Sequence, residues 1–319
     1  MKKKTKLILA TTILLGLALR IFVVNQLPSI LNRDEAALAY SGYLLAETGR
    51  DEWQQKTPLA LLSFGDYKLP GYPYLLAGLF KFLPANDFIV RLPSVIAGTV
   101  LIYLAFRWSK KLGLSRVYSL LFTVLICLTA IYIFYCTMAW EANLALSLNL
   151  GALLLLFRFD QTINEKTKNQ STWFNWRDVL GIILMLIAVF TYNSPLISLP
   201  FILPGVILTR NLKKPKSWAV PVLGLGLVLT LAGSVLFSLS SQKSGITIFT
   251  DETVWANYVQ YRQMFPSILK TLIGNQYVYW LGLMLKNIFR SFSFKFLVTY
   301  GGGHPWHNIP MHAHLFWSV

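Results

Sequence analysis

Apolar runs of membrane-crossing length, separated by short basic loops, constrain this chain more than any other feature. The first, Leu7–Val24, follows the basic leader Met1-Lys2-Lys3-Lys4-Thr5-Lys6 and ends at Asn25-Gln26-Leu27-Pro28. A helix of that length crosses a hydrocarbon core of roughly 30 Å. Further apolar runs lie at about 88–106, 116–135, 142–157, 177–193, 194–209 and 218–239. In lipid, every backbone polar group needs a partner within the protein, which leaves helices and closed barrels as the only spanning structures. The expected fold is therefore all-α, a polytopic transmembrane helical bundle forming a single integral membrane domain over residues 1–319. Hydrophobic residues make up 55% of the chain and charged residues 13%, a balance that excludes a soluble domain. No small-residue cleavage site follows the first run, so it reads as an uncleaved helix rather than a signal peptide.

The net charge of +16 could suggest nucleic acid, but its distribution points elsewhere. The segments 1–6, 107–116, 158–177 and 210–216 each hold four Lys or Arg, while the longer segments 28–91 and 241–295 hold six each. Basic residues concentrated in short loops mark the cytoplasmic side. This places the protein in the cell membrane as a multi-pass chain, N-terminus inside, with no nucleic-acid partner. Cys127 and Cys136 lie on the expected third span. Nine residues of continuous helix is about 900° of rotation, so the two thiols are expected to face opposite sides.

Two long segments, 28–87 and 241–311, fall on the extracytoplasmic side, and loops of that size are uncommon unless functional. The first is expected to begin with an interfacial helix, with Asp34 as N-cap, Ala36–Thr48 helical and Gly49 as the stop. A second short interfacial helix is expected from Pro70 to Phe82. The later loop carries Trp255, Tyr258 and Tyr261 at helical spacing, then Tyr277, Tyr279 and Trp280. Such rings favour the headgroup level, so membrane anchoring is expected, with a lipid-carrier groove as the alternative. The chain stops at His314-Leu315-Phe316-Trp317-Ser318-Val319 as another apolar run starts, which reads as a truncated product.

Chemistry-bearing residues collect on this outer side. Asp34 and Glu35 follow the first run closely. They read either as a helix cap with a solvated neighbour or as a carboxylate placed to take a proton from an attacking hydroxyl. Glu141, in an otherwise apolar stretch, needs a polar cavity or a partner such as Asn143. Lys68 and Arg91, each near a proline, are snorkelling anchors or phosphate-neutralising cations. Arg20, in the first span, suits a structural ion pair or a substrate contact. His304, His307, His312 and His314 could touch a phosphate, bind zinc, or be ordinary loop residues. A divalent metal fits the acid pair and nearby histidines but is not required by them, so the residues name no cofactor.

Four segments together resemble the GT-C membrane glycosyltransferases, in the branch of protein O-mannosyltransferases and the lipid A aminoarabinose transferase. They are NRDEAALAYSGYLLAETG; YKLPGYPYLLAGLFKFL with FIVRLPSVIAGTVLIYLAFRWSKKLG; MAWEANLALSLNLGALLLL; and GGGHPWHNIP. By this resemblance Asp34 matches a catalytic base and Glu35 its companion. Glu141 matches the second acidic position, Lys68 a lysine bordering the active cavity, and His307 a histidine near the carrier phosphate. Leu69 stands where the family usually has a proline, and Trp306 where many relatives have Arg. The resemblance implies an inverting glycosyltransferase with a polyprenyl-phosphate-linked sugar donor and a protein, lipid or glycan acceptor. Arg91 joins Lys68 and His307 as an expected donor-phosphate contact. The absence of a Gly-rich nucleotide loop agrees with a lipid-linked rather than a nucleotide-linked donor. A non-enzymatic transporter or assembly protein for lipid-linked envelope polymers is the rival expectation. It gives no reason for the set Asp34, Lys68 and Glu141, and no internal repeat of the transporter kind is visible.

Overall fold

The computed structural model describes residues 3–26, 30–64, 66–158, 175–210, 215–240 and 251–300. They are helical almost throughout. Helix α1 (Lys3–Gln26) is followed by α2 (Arg33–Thr48), a hairpin of β1 (Leu61–Ser63) and β2 (Asp66–Lys68), α3 (Gly71–Phe80) and α4 (Asp87–Lys111). Then come α5 (Arg116–Leu128), α6 (Ala130–Cys136), α7 (Glu141–Leu156), α8 (Trp176–Thr191), α9 (Ser194–Leu208) and α10 (Pro215–Ser240). The last elements are α11 (Glu252–Gln263), α12 (Ser267–Leu272), α13 (Gln276–Ser291) and a π-helical turn, Lys295–Tyr300. The chain divides into two compact units, Met1–Leu236 and Phe237–Val319.

Among the described residues two helices, α1 and α4, are long and apolar enough by themselves to cross a membrane, and a third crossing is added if the bent pair α5–α6 counts as one. On α1, Leu7, Leu14, Leu15 and Phe22 are all exposed, as on a helix whose solvent is hydrocarbon. The expected fourth, sixth and seventh runs form shorter apolar helices, Glu141–Leu156, Ser194–Leu208 and Trp218–Ser234. The 15 residues of α9 reach only about 22 Å at 1.5 Å per residue, short of a full hydrocarbon core.

The expected third span is not continuous. Thr129 has extended backbone angles (φ −64°, ψ 121°), and α5 and α6 meet there at 58°. Its N–H and its hydroxyl both bond to the Leu125 carbonyl, which closes α5 without glycine or proline. This bend undoes the expected opposition of the two cysteines. Both thiols are free and buried, and both lie beside the Arg20 guanidinium. Gly16 and Gly98 provide the room, since a Cβ at Gly16 would meet Cys127 Sγ and one at Gly98 would meet Cys136 Sγ.

In the first unit α4 contacts α1, α5, α6 and α7, and α7 packs most extensively against α8. A hydrophobic core of Leu156, Met185, Val189, Leu199, Val206 and Leu225 joins α7, α8, α9 and α10. A separate cluster of Leu38, Tyr72, Leu76, Val90 and Ala139 seats α2 and α3 on the start of α4. The N-cap of α2 is Asn32, two residues before the expected Asp34, and the helix stops as expected at Gly49 in the left-handed conformation (φ 68°). Helix α3 matches the expected second short helix. The hairpin was not anticipated. Its register pairs Leu61 with Lys68 and Ser63 with Asp66, and buries Leu61 and Ser63 on one face.

In the second unit, Tyr258 on α11 packs on Trp255 and on Tyr279 of α13, with ring centroids 5.2 and 5.7 Å apart. Tyr261 meets Tyr279 at 5.0 Å. Several of the aromatic residues expected to anchor the loop therefore join two of its helices, while Trp255 and Tyr277 stay exposed.

Helices α2 and α3 meet at Gly42, where a Cβ would lie 2.7 Å from Leu76 Cβ and 3.2 Å from the Pro73 carbonyl. Gly42→Ala is expected to lower stability by about 1–3 kcal/mol, the usual cost of overpacking. Gly78→Ala, on the open side of α3, meets nothing within 4 Å and is expected to be neutral or stabilising. Thermal unfolding of the purified full chain in detergent compares the two.

Candidate functional site

The site begins with the cap of α2. Asn32, not Asp34, is the N-cap: its Oδ1 accepts the Glu35 N–H at 2.9 Å, while Glu35 Oε2 accepts the Asn32 N–H at 3.1 Å. This reciprocal capping box satisfies two helix-end donors at once. The two acids then part company, because adjacent residues on a helix point about 100° apart. Glu35 turns inward and Asp34 outward.

Glu35 is buried, and so is Arg91 of α4. Arg91 Nε donates to Glu35 Oε1 at 2.9 Å and its terminal NH2 donates to Oε2 at 3.2 Å. The same terminal nitrogen donates to the Ile30 carbonyl at 3.1 Å. Glu35 Oε1 also accepts the Ala139 N–H at 2.9 Å. One carboxylate thus receives four hydrogen bonds and ties the start of α2, the start of α4 and the turn before α7 together. A charge so deeply placed is tolerable only with such pairing. The expected phosphate-binding part for Arg91 is not the one this geometry gives it: its guanidinium is turned to Glu35. Glu35, expected in the catalytic set, is likewise engaged by its four donors.

Asp34 occupies the first turn of α2, where the helix dipole favours a carboxylate. Its side chain is 56% exposed, and Lys68 Nζ donates to its Oδ1 at 2.7 Å. Lys68 is itself only 12% exposed and is delivered by β2 of the hairpin. The hairpin therefore has a reason in the site: it carries a cation across to the acid of α2, 34 residues earlier in the chain.

Glu141 is the first residue of α7 and is half-buried. The strand of chain leading to it is held to Glu35 through Ala139, two residues before. Its expected neighbour Asn143 instead donates two hydrogen bonds of 2.9 Å to Ser94, at the carbonyl and the hydroxyl. Tyr72 of α3 completes the group and was not singled out from the sequence. Its hydroxyl donates to the Val90 carbonyl at 2.9 Å. Burial first, then the Glu35 charge and to a smaller degree Glu141, push its phenol well above the ordinary tyrosine range. It therefore stays protonated and acts as a donor. Only its place three residues before Leu75 and four before Leu76, in an apolar run, signalled a buried position.

A groove of about 370 Å³ opens between α3, α4 and α7, reaching α8 at Leu184. It starts one residue past Arg91 and one turn past Glu141, at Leu92 and Leu144, and runs down α4 to Leu104. Its lining is apolar apart from Ser147, whose hydroxyl is used by the Ala97 carbonyl at 2.7 Å. Among the described residues no three His, Cys, Asp or Glu side chains converge as a metal site would require. His304, His307, His312 and His314 lie outside the described residues. Searches of protein-family models, of curated proteins and of solved structures return no match to the chain.

The two acids are expected to differ sharply in stability. Glu35→Gln leaves Arg91 buried beside a neutral partner and is expected to cost about 3–5 kcal/mol. Asp34→Asn changes the exposed member of its pair and leaves an amide oxygen that can still accept from Lys68, so it is expected to cost less, about 1 kcal/mol. Parallel thermal melts of the two variants measure the difference.

Proposed function

We propose that this chain is a membrane-embedded glycosyltransferase, which takes a sugar from a polyprenyl-phosphate donor and transfers it to an acceptor hydroxyl on the extracytoplasmic side. One observation carries the reading. An exposed carboxylate, Asp34, and a largely buried cation, Lys68, form a 2.7 Å pair in the fold element whose anchors adjoin an apolar groove. That combination suits an amphiphile with a polar, phosphate-bearing head and a hydrocarbon tail.

The membrane placement rests on the apolar helices α1 and α4, the bent pair α5–α6 and the shorter apolar helices, read together as one polytopic bundle. Short basic loops at the opposite ends of these helices put Asp34, Lys68 and Glu141 outside. In that orientation α2 and α3 lie at the interface, and the groove runs inward from the headgroup level.

In this reading the donor's isoprenoid chain occupies the groove and its sugar phosphate sits by Lys68. Asp34 accepts a hydrogen bond from the acceptor hydroxyl and so holds the hydroxyl oxygen against the anomeric carbon. As the hydroxyl oxygen attacks, its proton passes to Asp34 and the new glycosidic C–O bond forms. The bond from the anomeric carbon to the phosphate oxygen breaks, and its electron pair leaves with the polyprenyl phosphate. Attack opposite the leaving group inverts the anomeric configuration. Lys68 stabilises the charge that develops on the phosphate. Glu35 and Arg91 act as positioning residues, and Glu141 lines the same end from α7, where it can orient the sugar or acceptor.

Asp34→Asn is expected to lower transfer of a radiolabelled sugar from its polyprenyl phosphate by about 10²–10⁴-fold, the span of a lost general base. Lys68→Met is expected to lower it by about 10²–10³-fold, as for a lost oxyanion partner. Purified full-length protein with an envelope extract as acceptor source supplies the assay. Near-normal turnover by a folded Asp34→Asn protein contradicts the base assignment.

A further inference from the structure

Helix α13, in the second unit, has no buried residue. It leans on α11 through Tyr279, whose ring meets those of Tyr258 and Tyr261 at 5.7 and 5.0 Å. At 100° per residue, Tyr277, Leu281, Met284, Leu285, Ile288 and Phe289 fall within about 140° of arc, centred nearly opposite Tyr279. All six are exposed, Tyr277 by 70% and Phe289 by 72%. The apolar stripe of α13 therefore faces away from the helix it packs on.

Charge narrows what such a stripe meets. Lys286 and Arg290 occupy the arc of Tyr279 and are exposed. From Phe237 to Val319 the chain holds six Lys or Arg against Asp251 and Glu252, and no acid follows Glu252. Asp251 is engaged locally, where its Oδ1 accepts from the Thr253 hydroxyl and from the Thr253 and Val254 N–H groups. The excess of positive charge in this unit is therefore fixed by its sequence. The 16 residues of α13 rise only about 24 Å, short of a hydrocarbon core, so the helix does not cross a membrane. A polar arc with cations and an opposite arc of aromatic and aliphatic side chains suit a helix lying in the plane of a bilayer surface. The same chain carries α1 and α4, each apolar enough to cross, so a bilayer is the apolar phase at hand.

We infer that α13 is an interfacial helix. Its stripe enters the surface of a bilayer bearing anionic lipid, and Lys286 and Arg290 reach back to the headgroup phosphates along their flexible stems. The inference rests on the membrane placement proposed above but is independent of glycosyl transfer. It gives the second unit a membrane contact of its own.

The test is spin-label depth on the purified full chain in nanodiscs of phosphatidylcholine with phosphatidylglycerol. Oxygen serves as the lipid-soluble relaxant and a nickel chelate as the water-soluble one. Labels are attached through Leu285→Cys on the stripe, Asn287→Cys about 200° further round, and Leu14→Cys on the exposed flank of α1. The protein without these changes gives the background from its two buried thiols. The label at 285 is expected about 5–10 Å below the phosphates, the label at 287 at or above them, and the label at 14 deeper than both. In phosphatidylcholine alone, or with Lys286→Gln and Arg290→Gln combined, the label at 285 is expected to lie shallower. A label at 285 open to nickel, or shielded from both relaxants as under a covering protein surface, overturns the interfacial helix. Equal depth in both lipids overturns the part given to the two cations. A label at 14 open to nickel overturns the membrane placement as well, whereas a deep label at 14 beside a wet one at 285 removes this inference alone.

Discussion

The buried pair of Glu35 and Arg91 is the interaction on which the rest of this site depends. Burying two charges is expensive, and their mutual attraction offsets the cost only when the remaining hydrogen-bonding capacity is filled. Here it is filled by backbone: the Asn32 and Ala139 N–H groups go to Glu35, and the Ile30 carbonyl accepts from Arg91. Three separate stretches of chain are thereby held at one point. The consequence for function is geometric. With Glu35 locked inward, its neighbour Asp34 must project outward, where Lys68 meets it. The acid pair that stands out in the sequence is thus two residues with two tasks, one fixing the scaffold and one left at the surface.

Around this point the structure has a consistent polarity. Carboxylates, the buried tyrosine and the hairpin lysine collect at one end of the helices. A nearly pure hydrocarbon groove follows along α4 and α7. At the other end of α4, Arg158 and Arg210 pair with the buried Asp178, and Lys111 caps α7 beside the Trp108 ring. Polar ends with an apolar stretch between them agree with helices apolar enough to cross a membrane.

Much of this was legible in the chain, and the failures have physical causes. The first span, the left-handed stop at Gly49 and the short helix near residues 71–80 follow from local composition and needed no distant partner. The cap of α2 was misplaced by two residues because Asn and Asp are equally good caps; what decides for Asn32 is Glu35 three positions on, which closes the box. The bend at Thr129 was invisible because no glycine or proline marks it. Assuming a continuous helix there turned the cysteines to opposite sides, whereas both border Arg20. The Glu35–Arg91 pair spans 56 positions and the Lys68–Asp34 pair 34. Neither partner can be deduced from periodicity, although each residue was singled out as charge that needed a reason. The strands of the hairpin are three residues each, too short for alternation to register.

The central claim is that the Asp34 end of the molecule breaks the bond between a sugar and a polyprenyl phosphate. The most direct measurement places the purified full-length protein in liposomes whose donor carries a radiolabelled sugar, and follows the label between lipid and acceptor fractions. The account predicts that label leaves the donor, appears on acceptor with inverted anomeric configuration, and that free polyprenyl phosphate accumulates in equal amount. Intact donor that merely changes leaflet, with no polyprenyl phosphate formed, would contradict it and make the chain a carrier.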